Sequence, residues 1–307
     1  MNNDHSSSGD RMQSRTASGL SGFLTNVKYL LKGKVLVANV LPVFTAFWLA
    51  LYFSGEDFSS HFGTFLLTMI GSTLIIAGAL MFNNWYEADL DKKMDRTQNR
   101  PTVTGAFTLT AVFRSAVITT ILGFGIMLFT TVEAALYSFL GWFFYVVLYT
   151  FWSKRKYTIN TIIGSISGAF TPLIGWAAVA PANHIVPVML FYLLFIWQVP
   201  HTLAIAIRRL DDYTRAGVPM LPVVSGVPMT IRQMLIYIIA LLPFPFVLLP
   251  SMGLIFFIVT LGLTAGWIIL AFRGIKTMDT VLWARMNLRY SLIYLIITLL
   301  VMILVTI

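Results

Sequence analysis

The sequence predicts an all-α polytopic membrane protein with nine transmembrane helices around a central cavity. The mean hydropathy is +0.81 and only 11% of the residues are charged, whereas a soluble domain carries about 25%. Nine stretches reach the roughly 20 apolar residues that a membrane helix needs. All 21 basic residues lie in or next to alternate connections between these stretches, which is the pattern of a chain that crosses a bilayer repeatedly.

The nine predicted spans are separated by short connections, and the turns at Thr130–Glu133 and Pro250–Gly253 are the shortest. The spans are 35–53, 64–86, 107–130, 132–152, 159–180, 185–207, 231–250, 252–272 and 287–306. The polar composition of the first residues predicts a disordered cytoplasmic tail at 1–27, ahead of a nine-helix membrane domain at 28–307. The absence of cysteine excludes a disulfide scaffold, an iron–sulfur protein and a thiolate zinc site.

The basic residues set the predicted orientation. They occupy the N-terminal segment and the connections after spans 2, 4, 6 and 8, and the other connections have none. The positive-inside rule then places the N-terminus in the cytoplasm and the C-terminus outside. In a soluble protein the net charge of +9 would suggest that nucleic acid is bound. Here the basic residues lie on one side of the predicted membrane, so the orientation of the chain accounts for the charge. We therefore expect lipid as a partner and no nucleic acid.

Acidic residues form two clusters on the same predicted side. If span 2 continues as a helix, Asn83, Glu87 and Asp91 share one face, and Asp95 extends the row. A solvated surface neutralised by neighbouring lysines is one interpretation. The other is Mg²⁺, which takes oxygen ligands and leaves room for phosphate oxygens. The lack of histidine in the cluster disfavours zinc and iron.

The second cluster, Asp211 and Asp212, follows span 6. Two carboxylate clusters that meet across a cavity could hold more than one Mg²⁺ ion. Basic residues near the clusters suit the non-bridging oxygens of a phosphate; they are Arg96, Arg100, Lys154 and Arg155. Carboxylates with a basic rim therefore suggest a diphosphate substrate.

These residues carry a resemblance. Asn83-x3-Glu87-x3-Asp91 resembles the first acidic motif of the UbiA superfamily of intramembrane prenyltransferases, although Glu87 stands where Asp is usual. Four further segments are similar to the haem o synthase branch: the run from Asp91 to Pro101, the segment from Asn160 to Trp176, Trp197-Gln198-Val199-Pro200-His201, and Asp212-Tyr213 with Pro219-Met220-Leu221-Pro222.

The resemblance implies a UbiA-like prenyltransferase fold in a bacterial plasma membrane. It implies transfer of the farnesyl group of farnesyl diphosphate to a vinyl group of haem b, which gives haem o for the haem a of terminal oxidases. Asn83, Glu87, Asp91 and Asp95 would be catalytic. The implied Mg²⁺ ligands are Asn83, Glu87, Asp91, Asp211 and Asp212. Haem a synthase would be a possible protein partner.

Trp197, Gln198 and His201 are the predicted acceptor-binding residues. His201 is the only histidine within a predicted span, and ionisable residues inside a membrane usually mark function. Three roles of His201 stay open: iron ligation, polar contact with the porphyrin, and a buried histidine with a local partner.

The sequence leaves two other functions open: a prenyltransferase for an aromatic quinone precursor, and a transporter. The acidic clusters at one membrane face disfavour the transporter, which would place charges along a pathway.

Overall fold

The structure, a computed structural model, describes residues 19–276 and 278–307, and these residues form helices without strands. The helices are α1 Leu20–Leu30, α2 Gly33–Ser54, α3 Phe62–Tyr86, α4 Ala88–Asp91, α5 Pro101–Thr104, α6 Leu109–Met127, α7 Val132–Phe143, a π-helical segment Phe144–Ser153, α8 Asn160–Ala177, α9 Ile185–Arg208, α10 Leu210–Ala216, α11 Leu221–Ile239, α12 Pro243–Arg273 and α13 Thr280–Leu304. The predicted all-α membrane fold is confirmed.

Within the described ranges, seven helical stretches are long and apolar enough to cross a membrane. One of them, Leu221–Arg273, has 53 residues, which as a straight helix would measure ~80 Å against a ~30 Å hydrocarbon core. The chain instead turns back within this stretch, at the non-helical residue Gly253, and Phe256 packs against Phe244. The chain is thus a multi-pass membrane protein, and the count of nine spans stays a prediction.

The predicted boundary between spans 7 and 8 agrees with the structure. The prediction puts it at Pro250–Gly253, and at Gly253 the backbone of α12 leaves the helical region (φ 79°, ψ 178°), so two helices meet there. Aromatic rings from the two sides of this break lie against each other, since the ring centres of Phe244 and Phe256 are 5.8 Å apart. The helix is also interrupted at 240–242, where Pro243 lacks an N–H, but the backbone keeps helical angles there.

The tail prediction needs a partial correction. Residues 1–18 of the predicted tail 1–27 lie outside the described residues, but α1 begins at Leu20. Leu20, Phe23 and Leu24 stay exposed along this helix, and Phe23 packs edge-on against Phe107. An amphipathic helix of this kind suits a membrane surface. The prediction missed this helix because the composition of residues 1–27, taken as a whole, is polar.

Helix α8 lies at the centre of the bundle and packs against α2, α7 and α9. It is buried along most of its length. Gly175 lies directly against the Val43 carbonyl of α2, where any Cβ atom would collide. Small residues allow this close backbone approach, which supports helix packing inside a membrane.

Helix α7 continues into the π-helical segment, and the wider turn persists to its end. The amide of Lys154 donates to the carbonyl oxygen of Tyr149 at 2.9 Å, a spacing of five residues rather than four. Such segments are rare and occur frequently at functional sites. One end of the bundle, called the site end below, is where α3 and α9 end and α8 and α13 begin.

Candidate active site

The site begins where α3 ends. At Glu87 the backbone leaves the helical region (φ −96°, ψ 8°), and α4 follows at once. The four-residue spacing nevertheless survives: Glu87 N donates to Asn83 O at 3.0 Å, and Asp91 N donates to Glu87 O at 2.8 Å. Asn83, Glu87 and Asp91 are all buried. The break at Glu87 therefore keeps these three side chains in the protein interior and preserves their four-residue spacing.

Asp95 does not extend this row, contrary to the prediction. The helix ends at Asp91, and the Asp95 side chain is 69% exposed. The turn that follows α4 carries Asp95 away from α3. An uninterrupted helix would have been needed to keep all four residues on one face.

Glu87 is the centre of a buried polar network. Its carboxylate accepts from Lys154 Nζ at 2.5 and 2.6 Å and from Asn83 Nδ2 at 2.7 Å. Asn83 Nδ2 also lies 3.1 Å from Thr150 Oγ1. On the other side, Lys32 Nζ donates to Asn83 Oδ1. The network therefore joins the end of α3, the π-helical segment and the α1–α2 junction.

The charges in this network shift one another's pKa. Burial alone would raise the pKa of Glu87, but Lys154 and Lys32 hold it below its ordinary value. Burial would lower the pKa of Lys154, but Glu87 raises it above the ordinary value. The pKa of Lys32 is lowered well below its ordinary value by burial and by Arg100, despite Glu87. Glu87 and Lys154 therefore form a charged pair.

Asp91 forms a second buried pair. Its Oδ2 atom accepts from Arg100 at 2.5 Å, and its carbonyl oxygen accepts from the Thr97 hydroxyl at 3.0 Å. These bonds fold the loop after α4 back over the carboxylate. Among the hydrogen bonds of residues 19–276 and 278–307, none involves Asp91 Oδ1.

The two acidic clusters meet through one arginine. Arg215 donates to Asp95 Oδ2 at 2.8 Å and to Asp212 Oδ1 at 2.6 Å, and the Asp95 amide lies 3.3 Å from Asp212 Oδ1. Asp212 is buried. Asp211 is exposed and makes none of these contacts. The structure thus brings Asp212, but not Asp211, to the loop that follows the first cluster.

The four predicted diphosphate-binding residues fall into two groups, one beside the buried carboxylates and one further out. Arg100 and Lys154 hold the buried carboxylates. Arg155 instead forms two bonds with Asp89, at 2.7 and 2.9 Å, and its guanidinium lies 4.4 Å from the Tyr86 ring centre. Arg96 is exposed. Arg100 and Lys154 are therefore the predicted cations that lie deepest at the site.

No group of three or more acidic or histidine side chains converges tightly enough to hold a metal in the described part of the chain. The donors nevertheless fit Mg²⁺ in chemistry, because they are oxygens of buried carboxylates. Asp212 Oδ2 is buried without a hydrogen-bond partner. Among the ion pairs of residues 19–276 and 278–307, the cation that approaches this oxygen is Arg209, at 3.9 Å.

The predicted acceptor residues lie on α9, where it packs against α13. The rings of Trp197 and His201 stack, with their centres 4.7 Å apart. Trp197 Nε1 donates to Ser291 O at 2.7 Å, and His201 Nδ1 lies 2.8 Å from Ser291 Oγ. Gln198 faces the other way, with its amide against Gly168 of α8. His201 thus has a local partner, as the simpler interpretation expected, and this leaves its other ring nitrogen for further contacts.

A mainly apolar cavity lies among α2, α3, α7, the π-helical segment and α8, and its empty space, together with the open solvent that adjoins it, is about 510 Å³. Its lining includes Val35, Ile75, Trp142, Tyr145 and Ile174. The Tyr145 ring lies 5.5 Å from that of Tyr149, and Lys154 Nζ lies 5.2 Å from the Tyr149 ring centre. Two aromatic rings therefore connect the apolar cavity with the buried network of Lys32, Asn83, Glu87 and Lys154, which is called the ionic network below.

Sequence reasoning missed four contributors to the site: Lys32, Thr150, Arg215 and Ser291. Lys32 counted only as one of many basic residues flanking a span. Its left-handed backbone (φ 47°) turns the chain between α1 and α2 and brings the amine to Asn83. Thr150 lies four residues before Lys154, but only the π-helical register shows that both face α3. Nothing in the sequence pairs Ser291 with His201.

Comparisons with known proteins agree with this architecture. The family model of the UbiA prenyltransferase family matches residues 40–305. A protoheme IX farnesyltransferase of Oceanobacillus iheyensis is 50% identical over 283 residues, covering 92% of this chain and 90% of the relative. One of Bacillus mycoides is 46% identical over 284 residues, covering 92% of both.

Solved structures with the same fold are more distant in sequence. A digeranylgeranylglyceryl phosphate synthase has a TM-score of 0.73 at 18% identity, over 92% of this chain and 98% of that one. A UbiA homologue of Archaeoglobus fulgidus, solved with DMAPP and Mg²⁺, has a TM-score of 0.68 at 14% identity, over 89% and 99%. The sequence resemblance to intramembrane prenyltransferases is confirmed, and the chain belongs to the UbiA prenyltransferase family.

Proposed function

We propose that this chain transfers the farnesyl group of farnesyl diphosphate to a vinyl group of protohaem IX (haem b) and so forms haem o. The observation that carries the proposal is the joining of buried carboxylates and cations at one end of an apolar bundle. The identity to curated protoheme IX farnesyltransferases, 50% over 92% of the chain, supports this choice over a quinone precursor. The apolar cavity is suited to the farnesyl chain.

The donor would lie with its diphosphate at the ionic network and its chain in the cavity. Lys154 and Arg100 would bind phosphate oxygens, and the Lys32 amine beside Asn83 would add a further hydrogen-bond donor. Positive groups fixed in a dry site stabilise the charge that develops on the departing diphosphate. The allylic carbon–oxygen bond breaks with its electron pair on the diphosphate. The vinyl carbon then forms the new carbon–carbon bond, and water adds with loss of a proton.

Glu87, Asp91 and Asp212 would hold Mg²⁺, with Asn83 as an added oxygen ligand. When bound, the ion supplies Lewis-acid stabilisation of the diphosphate. The A. fulgidus structures with DMAPP or GPP and Mg²⁺ support a metal-dependent donor site in this fold. Asp211 is too exposed to be a favoured ligand.

The acceptor would lie against α9, where Trp197 and His201 form a stacked pair close to α13. The site end would face the cytoplasm, because the basic residues concentrate there. A haem a synthase that receives the product stays a prediction. Apolar walls around the farnesyl chain would keep water from the allylic cation before the vinyl group attacks.

The test is pigment analysis with the purified chain, farnesyl diphosphate and protohaem. We expect a farnesylated haem by mass spectrometry, and its loss on chelation of divalent ions. Asp91→Ala should abolish the product while leaving the protein monodisperse in detergent. Asp57→Ala is the matched control, because Asp57 is an exposed carboxylate in the α2–α3 loop. Product formation by Asp91→Ala at low Mg²⁺ would contradict the metal assignment.

A further inference from the structure

Four arginines lie together where α9 and α13 meet at the site end. Arg208 is the last residue of α9, and Arg209 follows it. Arg285 and Arg289 lie one turn apart near the start of α13. The other three guanidinium groups act on Arg208 with like-charge repulsion. We call these four residues the α9–α13 arginine cluster.

The positive charge of this cluster is largely uncompensated. Across residues 19–276 and 278–307, its one ion pair joins Arg209 to Asp212 at 3.9 Å, and no carboxylate lies within 4.0 Å of the other three arginines. Four basic residues around the two acidic clusters behave differently, since each forms an ion pair with a carboxylate; they are Arg100, Lys154, Arg155 and Arg215. A cluster of arginines that mostly lack a carboxylate partner favours an anionic ligand. The planar guanidinium groups can bind carboxylates through two parallel hydrogen bonds.

The cluster has a defined position relative to His201. The bonds from Trp197 and His201 to Ser291 fix α9 against α13 at one level. Arg208 comes seven residues after His201, which is ~10 Å along nearly the same helix face. On antiparallel α13, Arg285 comes six residues before Ser291, ~9 Å in the same direction. Arg208 and Arg285 therefore lie about two helical turns above the level of His201 and Ser291, towards the site end, whereas Arg289, two residues before Ser291, lies only ~3 Å above it.

The hydrogen bonds around Ser291 also select a tautomer of His201. The Ser291 hydroxyl donates to Leu288 O at 2.8 Å, so its oxygen accepts from His201 Nδ1 at 2.8 Å. In a neutral imidazole the proton on Nδ1 leaves a lone pair on Nε2. The α9–α13 face thus combines a nitrogen lone pair with guanidinium groups whose residues lie ~3 to ~12 Å further along the two helices.

We propose that the α9–α13 arginine cluster binds the two carboxylates of the acceptor. The ligand would be a flat apolar macrocycle with a carboxylate edge, as protohaem with its propionates is. The macrocycle would stand along α9 near His201, and its propionates would point to the site end. This inference rests on the proposed function, which it deepens by giving the acceptor an orientation.

The experiment compares protohaem with its dimethyl ester, in which both propionates are neutral. Binding is measured by absorbance titration in nanodiscs of phosphatidylcholine. The wild-type chain should prefer the free acid by tenfold or more, and Arg285→Gln/Arg289→Gln should lose this preference. Its affinity for the ester and its KM for farnesyl diphosphate should not change. Arg114→Gln/Arg273→Gln, with the same charge change on exposed helical arginines, should behave as wild type.

Equal binding of acid and ester by the wild-type chain would overturn the proposal without any variant. It would also be overturned if the double variant kept the preference. A change seen only when phosphatidylglycerol replaces phosphatidylcholine would assign the cluster to lipid phosphate instead. If the preference is found but no farnesylated product forms, the proposed function fails and the carboxylate site stands.

Discussion

Replacement of Glu87 by glutamine would remove the negative charge at the centre of the ionic network while keeping its size. The Glu87 side chain is 5% exposed and that of Lys154 is 14% exposed, so Lys154 would lose its counterion in a nearly dry place. Breaking a buried ion pair in this way costs about 3–5 kcal/mol. We take the lower value, ~3 kcal/mol, because Lys154 keeps some contact with solvent.

A change of about 3 kcal/mol corresponds to roughly 100-fold in an equilibrium constant. We therefore expect Glu87→Gln to lower the free energy of unfolding by about 3 kcal/mol and kcat/KM for farnesyl diphosphate by roughly 100-fold. Glu87→Asp keeps the charge and should lose less than Glu87→Gln. The measurements are denaturant unfolding in detergent and steady-state kinetics at saturating protohaem.

The pH dependence gives the sign of the effect. Because the pKa of Glu87 is lowered in the folded chain, its stabilisation is complete above the unfolded value of about 4.3. It is lost as the pH falls through the lower folded pKa. The stability difference between wild type and Glu87→Gln should stay constant from pH 8 to about 5 and shrink below that.

Glu133→Gln is the matched control for this experiment. The Glu133 carboxylate accepts from Tyr137 Oη at 3.0 Å and from the Ala182 amide at 3.1 Å, and a glutamine carbonyl can accept both bonds. It should cost less than about 1 kcal/mol and leave the donor kinetics unchanged. The reasoning is refuted if Glu87→Gln has the free energy of unfolding and the kcat/KM of the wild type at pH 7. It is also refuted if Glu87→Gln and Glu133→Gln lower these two quantities equally.

Three further outcomes are expected. Lys32→Gly should relieve the left-handed backbone strain and keep unfolding within about 1 kcal/mol of wild type, yet raise the donor KM about tenfold; Lys34→Met is the exposed control, and an unchanged KM for Lys32→Gly would remove Lys32 from the donor site. A cysteine introduced at Gln98 should react with an impermeant thiol reagent only from the cytoplasm, and one at Asn183 only from outside, so the reverse pattern would invert the topology. His201→Ala should weaken protohaem binding, measured by absorbance, and leave donor binding intact; loss of donor affinity alone would move His201 to the diphosphate side.

Much of the fold can be predicted from the sequence because span length and charge asymmetry are local properties. They located α2, α3 and α9 within about two residues. They also placed the break inside the apolar stretch of α12, where Pro250 and Gly253 occur. They missed the interruption at 240–242, because hydropathy sums over a window and cannot tell an apolar bend from an apolar helix.

The charged residues of the site could be predicted from the sequence, but which of them form pairs could not. Asn83, Glu87 and Asp91 are spaced by four, so a helix brings them together whatever surrounds it. Which cation meets which carboxylate depends on loops that fold back. The pairing of Arg100 with Asp91, nine residues apart, and that of Lys154 with Glu87, 67 apart, needed the tertiary structure.

The π-helical segment Phe144–Ser153 makes the site depend on how the backbone is wound as well as on which side chains it carries. Its wide turn holds one residue more than an α-helical turn would. If the same residues wound as an α-helix, the residues after the segment would be rotated relative to α3. Lys154 would then leave Glu87, although every charged side chain of the site remained in the chain. The positive charge opposite α3 is thus set by the winding of the backbone, so residues that stabilise the wide turn matter to the site even where their side chains contact nothing in it.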